Sequence, residues 1–154
     1  MKTESDFQIR PATTADTERI VQLLNANDLP SCGLQGGSQQ FWLAVKKGEA
    51  VGVIGLGRNG KRGLLRSLAV AKAYRNNGIA KALLEEALFN ARQAKIEEIY
   101  LLTGTAKDYF LRKGFSLTDR ASLPPMLLQD AGMENACSAC SDCLYRSLLE
   151  EEKE

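Results

Sequence analysis

Apolar residues in the first half of the chain follow two periods. Ile20, Leu23 and Leu24 have the spacing of one helical face, and the polar residues just before them can cap a helix. Four other segments alternate as strands do: Phe7 to Arg10, Phe41 to Val45, Val51 to Leu56 and Leu64 to Val70. Because Gly48 and Gly60 lie in short polar turns, the last three strands are predicted to form an antiparallel meander.

In the second half of the chain, helical and strand patterns alternate. A helix rich in alanine and leucine is predicted from Lys81 to Ala94, and a strand from Ile99 to Leu102 follows it. The remaining elements are a helix from about Ala106 to Arg112, a strand from Phe115, a short helix after Pro124-Pro125 and a last strand near Leu144 to Leu148. This order predicts an α/β fold in which helices flank a mixed sheet with an antiparallel centre.

Composition favours a single soluble domain. A chain of 154 residues with 44% hydrophobic residues suits one domain over residues 1–154, which would bury about 70% of its unfolded surface. The net charge of +1 gives no field that favours nucleic acid or a membrane. No apolar run approaches the roughly 18 residues of a membrane span, and the first residues lack a signal peptide's apolar core, so a cytoplasmic protein is expected. The acidic residues 150–154 are expected to form a solvated tail.

The segment between the strand 64–70 and the helix 81–94 carries the strongest functional signal. Its sequence is Arg75-Asn76-Asn77-Gly78-Ile79-Ala80. A glycine turn that opens a helix presents backbone N–H groups without intrahelical partners at the positive end of the helix dipole, and these groups suit a phosphate. A turn that merely joins a strand to a helix is the simpler interpretation of these six residues alone.

Three segments resemble, in order, the motifs of the GNAT acetyltransferase superfamily: Leu68-Ala69-Val70, the Arg75 to Ala80 turn, and Ala106 to Gly114-Phe115. Together the motifs cover most of the chain. A narrower resemblance is to the branch of this superfamily described as arsenic-resistance N-acetyltransferases. It lies in Gly63 to Val70, Tyr100 to Thr103 and the segment around Cys137. The resemblance implies a GNAT-like sheet that is splayed between its fourth and fifth strands.

The resemblance also implies acetyl-CoA as the cofactor. Its pyrophosphate would lie on the amides of Asn76 to Ala80, and its pantetheine arm would pair with the main chain of Leu68-Ala69-Val70 like an added strand. The thioester would lie in the splay, where a backbone amide could stabilise the developing oxyanion. Thr103 takes the place of a family asparagine that contacts the cofactor. The cofactor-binding residues expected on this basis are Leu68, Ala69, Val70, Arg75, Asn76, Asn77, Gly78, Ile79, Ala80, Lys81, Thr103, Ala106 and Phe110.

Two positions that handle protons in many GNAT enzymes carry hydrocarbon side chains here. Leu64 takes the place of a glutamate that draws a proton from the amine through water, and Phe110 that of a tyrosine that protonates the departing thiolate. Tyr109 is the remaining candidate acid, but one helical step of about 100° would turn it elsewhere unless the helix start is displaced. The chain has no His, and Asp28 and Glu49 are considered as bases only by elimination.

Two interpretations of the chemistry follow. In the first, placement and electrostatics suffice, because a thiol with a pKa of about 8.5 is a tolerable leaving group and the amine is weakly basic or loses its proton to water. In the second, the protein binds an acyl-CoA, or arsenic or a metal through its thiols, as a sensor. We expect the enzyme, an N-acetyltransferase in which the amine of a small molecule, such as an arsenical or amino-acid analogue, attacks directly in a ternary complex. The loop from Asp28 to Ser38 is expected to cover the acceptor pocket, and a homodimer is considered.

Arg66 is predicted to contact an anionic group of the acceptor. On a strand it shares a face with Leu64 and Leu68, so it should line the acceptor pocket unless a bulge intervenes. A guanidinium there can bind a carboxylate, phosphinate or arsinate with two hydrogen bonds. The alternative is a surface ion pair with a carboxylate such as Glu49. Ser67, on the opposite face, is expected to pack or to bond the backbone.

Three of the four cysteines lie within seven residues, at Cys137, Cys140 and Cys143. Three thiolates, with Cys32 as a fourth ligand, could hold a soft metal or trivalent arsenic, and the branch description points to arsenic. On an extended chain these side chains alternate between faces and span about 20 Å, whereas on a helix or turn they would align. Small buried thiols without a metal are the expected outcome.

Overall fold

The computed structural model describes residues 7–29, 31, 34, 38–104, 106–131 and 142–149. Seven strands are formed: β1 (Gln8–Pro11), β2 (Gln39–Lys46), β3 (Glu49–Asn59), β4 (Arg62–Val70), β5 (Glu98–Thr103), β6 (Ser116–Thr118) and β7 (Asp142–Ser147). Four α-helices accompany them: α1 (Thr17–Ala26), α2 (Ile79–Gln93), α3 (Lys107–Arg112) and α4 (Pro125–Asp130). The alternation of elements predicted from apolar spacing is confirmed, with boundaries that differ by a few residues.

One seven-stranded sheet runs through the molecule in the order β1-β2-β3-β4-β5-β7-β6. The predicted meander is confirmed, because β2 pairs antiparallel with β3 and β3 with β4. The parallel pair in the sheet is β4 with β5, and it extends only from Arg62 and Glu98 to Leu65 and Leu101. Beyond this point β4 continues to Val70 and β5 to Thr103 without pairing with each other, so the sheet is splayed where the family resemblance implied.

Helices cover both faces of the sheet. On the face that we call the α2 face, Ile79, Leu83 and Ala87 of α2 are almost fully buried with Phe110 and Phe115. On the opposite face, called the α1–α4 face, Leu24 and Leu127 belong to two further apolar clusters. None of the helices in the described part of the chain is long and apolar enough to cross a membrane.

A bulge in β4 changes which of its side chains share a face. Gly55 pairs with Arg66 but Val53 pairs with Ala69, so β4 has one more residue than β3 between these pairs. The extra residue lies at Ser67, whose φ of 63° is unusual for a residue with a side chain. As a result Leu68 packs in the cluster on the α2 face, while Arg66 stays on the α1–α4 face. The expectation that Leu68 shares the face of Leu64 and Arg66 is therefore wrong.

The start of α1 is held by a charged capping network. Thr13 and Asp16 form a capping box on the 3-10 turn Thr14–Asp16, which runs directly into α1, with the Thr13 N–H donating to Asp16 Oδ2 at 2.9 Å. Arg10 of β1 donates to both Asp16 oxygens, at 2.9 and 3.0 Å. Asp16 is only 4% exposed, and these bonds, led by that from Arg10, hold the pKa of its carboxyl well below the usual range.

Candidate active site

The N-terminus of α2 is open to a ligand. Gly78 precedes the helix with a φ of 82° and Asn76 has a φ of 68°, and no side chain caps the helix start. The first helical hydrogen bond runs from the Ala82 N–H to the Gly78 carbonyl, so the N–H groups of the residues between them have no partner within the helix. A Cβ at Gly78 would meet nothing within 4 Å. The open amides that the glycine turn predicted therefore lie next to a pocket of about 400 Å³, and their binding of an anion stays a prediction.

That pocket, which we call the α2-end pocket, lies between the open amides and the second half of β4. Its lining consists of Asn27, Leu68, Ala69, Val70, Tyr74, Arg75, Asn76, Gly78, Ile79, Ala80 and Tyr109. Eight of the expected cofactor-binding residues are therefore brought together here. Asn77 and Lys81 adjoin them in sequence but do not line this pocket.

Arg75 connects the turn to α1. Its Nε donates to the Val70 carbonyl at 3.2 Å, and its guanidinium also donates to Asn27 Oδ1. Asn27 in turn donates from its amide to the Leu23 carbonyl at 2.9 Å, so it is fixed at the end of α1. The sequence pattern did not single out Asn27, because nothing near it along the chain indicates a contact with Arg75, 48 residues away.

A second pocket, of about 300 Å³, passes through the gap between β4 and β5, and we call it the splay pocket. Residues from both faces line it, since Leu65 and Phe110 belong to the cluster on the α2 face and Leu64 to one on the α1–α4 face. Its other lining residues are Asn27, Leu29, Ile54, Arg66, Ser67, Leu68, Ala80, Leu101, Leu102, Thr103, Gly104, Ala106 and Tyr109. Asn27, Leu68, Ala80 and Tyr109 line both pockets, so the two adjoin.

Tyr109 lies where the two pockets adjoin. Its hydroxyl is buried and has no hydrogen-bond partner among the described residues. Burial raises the pKa of this hydroxyl, Glu85 raises it further and Arg112 opposes the rise. The expectation that one helical step turns Tyr109 away is wrong. Tyr109 and its neighbour on α3, Phe110, both line the splay pocket, and both pack in the cluster on the α2 face.

Arg66 lies in the wall of the splay pocket on the α1–α4 face. It is 4% exposed, and its Nε donates to Ser67 Oγ at 3.0 Å. Its Nη1 donates to the Ala131 carbonyl at 2.9 Å and to Gln39 Oε1 at 3.3 Å. This burial argues against the alternative of a surface ion pair, and Glu49 lies at the start of β3, several residues before Gly55, which pairs with Arg66.

The other candidates are placed as follows. Thr103 accepts a hydrogen bond from the Ala106 N–H at 2.9 Å and so supports the start of α3. Neither Asp28 nor Glu49 is among the described residues that line the splay pocket. Cys143 is 3% exposed in the cluster with Leu64, and burial chiefly raises the pKa of its thiol.

The proposed thiol site cannot be placed as a whole. Cys137, Cys140 and Cys32 lie outside the described residues, as does most of the loop expected to cover the acceptor pocket. Within the described ranges, no three His, Cys, Asp or Glu residues come together as metal ligands do.

The residues at the splay suit acetyl-CoA. The open amides at α2 can receive a pyrophosphate, and the Gly78 backbone has room for close approach. Along β4, the Ala71 N–H donates to the Val51 carbonyl at 2.8 Å, so by strand alternation the N–H groups of Leu68 and Val70 face the splay. An amide-bearing arm can pair with that edge as an added strand does.

Comparison with known proteins agrees with this geometry. Residues 37–117, just over half of the chain, match the family model described as Acetyltransferase (GNAT) domain. An uncharacterized N-acetyltransferase of Chlorobaculum tepidum is 26% identical over 114 residues, covering 73% of this chain and 67% of that protein.

Solved structures share the fold. A GNAT-family acetyltransferase from Staphylococcus aureus Mu50 has a TM-score of 0.75 at 23% identity, covering 92% of this chain and 99% of its own. N-acetylglutamate synthase from Neisseria gonorrhoeae, complexed with coenzyme A and N-acetyl-glutamate, has a TM-score of 0.74 at 20% identity. That match covers 92% of this chain but only 35% of the synthase. Fold, open helix end and family match agree, and the chain belongs to the GNAT family of acetyl-CoA-dependent N-acetyltransferases.

Proposed function

We propose that this protein acetylates the amine of a small molecule by direct attack while acetyl-CoA and the amine are bound together. The observation that carries the proposal is that the α2-end pocket and the splay pocket adjoin at Tyr109 and Leu68. A donor on the α2 face and an acceptor on the α1–α4 face could then meet inside the sheet without either leaving its pocket.

The donor would be held largely by backbone. The amides of residues 76–81 would receive the pyrophosphate, and the β4 edge from Leu68 to Val70 would pair with the pantetheine arm. Arg75 lines the same pocket and carries a positive charge for the phosphates. Thr103, Ala106 and Phe110 would border the thioester end. When bound, acetyl-CoA supplies an acyl carbon activated by a thiolate leaving group.

Tyr109 is the proposed source of a proton. Because the pKa of its buried hydroxyl is raised, the group stays a neutral phenol at neutral pH and keeps a proton to donate at Oη. The hydrocarbon side chains of Leu64 and Phe110 line the gap and take part in no proton transfer.

For the acceptor we propose a small amine that also carries an anionic group, such as an arsenical or amino-acid analogue. Arg66 would contact the anion, since its guanidinium lies in the pocket wall and is charged at every pH of interest. The N-acetyl-glutamate in the structure of the Neisseria synthase is an anion of this type. Similarity to the arsenic-resistance branch supports the arsenical.

Three expectations about the whole protein stay proposals. They are one domain over residues 1–154, a cytoplasmic location and a homodimer. The edge strand β6 exposes 53% of Leu117 and could pair with a second copy. Sedimentation of the full chain with and without acetyl-CoA would measure the oligomeric state.

The test is a CoA-release assay with acetyl-CoA and a panel of amines that includes glutamate-like phosphinates and arsinates. We expect CoA release that depends on the amine, and a matching N-acetyl product by mass spectrometry. Comparing the rates with neutral amines and with anionic amines of the same size tests whether Arg66 contacts the anionic group. Release that does not depend on any amine would contradict the proposal.

A sensor that binds acyl-CoA, or arsenic or a metal through its thiols, without acetyl transfer is the second candidate. The observation that favours it is that Leu64 and Phe110 line the splay pocket where proton-handling groups are common in the family. Tight acetyl-CoA binding by calorimetry, together with no N-acetyl product from any amine, would support this function and exclude the first.

A further inference from the structure

The side chains that would surround an acceptor in the splay pocket are mostly hydrocarbon. On the α1–α4 face, where the acceptor is proposed to enter, Leu29, Leu64 and Leu102 line it. Beyond the gap it is lined by buried hydrocarbon side chains of the α2 face, namely Ile54, Leu65, Leu101 and Phe110. An ammonium ion that enters such surroundings loses its hydration, and a buried amine therefore tends to lose its proton instead. This lining favours a nitrogen that is already uncharged before it enters.

The titratable groups of the pocket supply no proton acceptor among the described lining residues. Arg66 is a permanent cation, and Tyr109 is a phenol whose pKa is raised mainly by burial. Around Tyr109, the exposed Glu85 on α2 raises that pKa further, Arg112 lowers it and Lys113 Nζ lies 5.4 Å from the ring centre. Arg66 keeps its protons and Tyr109 can donate one, so neither removes a proton from an ammonium ion at neutral pH.

From this lining we infer that the natural acceptor is a weakly basic amine, such as an arylamine or a hydrazide, which is uncharged at neutral pH. The inference rests on the proposed acetyl transfer and names the class of acceptor for the same pocket. It agrees with a carboxylate on the acceptor near Arg66, because a ring can carry the amine and the anion at opposite ends.

The transfer balances without a further reactant. The amine nitrogen forms a bond to the acetyl carbon, and the carbon–sulfur bond breaks with its electron pair remaining on sulfur. The nitrogen loses one proton to solvent, and sulfur gains one from Tyr109 Oη, which regains its own from water. The products are an N-acetyl amine and a free thiol.

Acceptor basicity has a measurable signature. An alkylamine with a pKa of about 10.4 is uncharged in roughly one molecule in 2,500 at pH 7. If only the uncharged amine reacts, its kcat/KM should rise about tenfold per pH unit until the pKa of the amine is reached. A weakly basic amine is already uncharged, so its kcat/KM should stay nearly constant over the same range.

The experiment compares 4-aminobenzoate with 4-(aminomethyl)benzoate, at saturating acetyl-CoA, from about pH 6 to about pH 10. Both acceptors have one ring and one carboxylate, and one methylene group separates a weakly basic from a strongly basic amine. We expect turnover of 4-aminobenzoate with a flat profile, and a tenfold rise per pH unit for 4-(aminomethyl)benzoate.

Turnover of 4-(aminomethyl)benzoate that is flat near neutral pH would overturn the inference, because the protein would then be removing the proton itself. The acetyl transfer proposed above would stand in that case. Failure of both benzoates and of aniline and benzylamine, the matching pair without a carboxylate, at every pH and with acetyl-CoA still bound would contradict acetyl transfer and the inference with it.

A carboxylate introduced at position 64 gives a second test. Leu64→Glu should place a proton acceptor in the splay pocket and raise kcat/KM for 4-(aminomethyl)benzoate at neutral pH about a hundredfold. Leu64→Gln, of the same size without the charge, should keep the tenfold rise per pH unit. A folded Leu64→Glu protein with the wild-type profile would count against the inference. If either variant fails to fold, the two wild-type profiles decide the question.

Discussion

Ser67 determines which side chains of β4 meet in the splay pocket. Ser67, with a φ of 63°, is the extra residue of the bulge in β4. Because of this bulge Leu68 faces α2 while Arg66 remains on the opposite face. In a regular strand Arg66 and Leu68 would point the same way. The bulge therefore puts two residues that are two positions apart in the chain on opposite faces, one beside the proposed donor and one beside the proposed acceptor.

At the same scale, Tyr109→Phe tests the proton donor. We expect kcat for acetyl transfer to fall about a hundredfold with little change in the Kd of acetyl-CoA, because the ring stays in the pocket wall. The free energy of unfolding should stay equal or rise slightly, since the buried hydroxyl has no hydrogen-bond partner among the described residues. Initial rates, calorimetry and urea unfolding measure the three quantities.

Tyr145→Phe is the matched control for this variant. Tyr145 packs against Tyr100 with ring centres 5.2 Å apart and does not line the splay pocket or the α2-end pocket. Its loss of a hydroxyl should leave kcat unchanged. Equal rates for Tyr109→Phe and the wild type would remove Tyr109 from the mechanism.

At the scale of elements, the turn between β4 and α2 joins three parts of the fold. Gly78 allows the chain to enter α2 with its amides exposed, while Arg75 bonds both the end of β4 and Asn27 at the end of α1. The turn proposed to hold the donor is therefore also bonded to α1, on the face proposed for the acceptor.

Gly78→Ala tests this turn against Gly60→Ala, a glycine of the β3–β4 turn. Both glycines have a positive φ, and a Cβ at either would meet nothing within 4 Å. Each change should lower the free energy of unfolding by about 1 kcal/mol, because alanine is strained in this conformation. Only Gly78→Ala should also raise the Kd of acetyl-CoA, about tenfold. The same Kd in both variants would show that the turn does not hold the pyrophosphate.

The cap of α1 predicts a dependence of stability on pH. Asp16 is bonded by Arg10 and by the Thr13 N–H, so its pKa is lower in the folded protein than the ordinary value of about 3.9. Its contribution is therefore complete above about pH 4 and is lost as pH falls toward the folded pKa. Asp16→Asn should lower the free energy of unfolding by about 1 to 3 kcal/mol at neutral pH.

Urea unfolding from neutral pH down to about pH 3 measures this difference. The difference in free energy of unfolding between Asp16→Asn and the wild type should be constant above about pH 5 and should narrow below about pH 4. Glu18→Gln, an exposed change in the first turn of the same helix, should leave the free energy of unfolding close to that of the wild type at each pH. A difference that does not narrow in acid would argue against the ion pair.

At the scale of the whole molecule, the splay is the break in an otherwise continuous sheet. The amides of Leu68 and Val70 face this break, whereas Val53 and Ala69 are paired within the sheet. Acetyl-CoA should slow hydrogen exchange in peptides that cover 66–70 and 76–81. Peptides covering 42–45, which are fully paired between β1 and β3, should not change. Slower exchange in all strands alike would indicate general stabilisation instead of pairing at β4.

Much of this architecture could be predicted from local patterns. The meander, the helix after Gly78 and the open amides at its start depend on apolar period and turn chemistry, which act between residues a few positions apart. The order of the sheet could not be predicted in this way, because β7 inserts between β5 and β6 from far along the chain.

The splay pocket shows the same division. Its residue types could be read from the sequence, including Leu64 and Phe110 in place of proton-handling groups. They raised the question of how the acceptor amine loses its proton. The bulge at Ser67, the Arg75–Asn27 bond and the inward position of Tyr109 appear only in the folded chain. Periodicity depends on neighbours along the chain, whereas these features depend on packing between segments that are distant in sequence, and no local pattern encodes that packing.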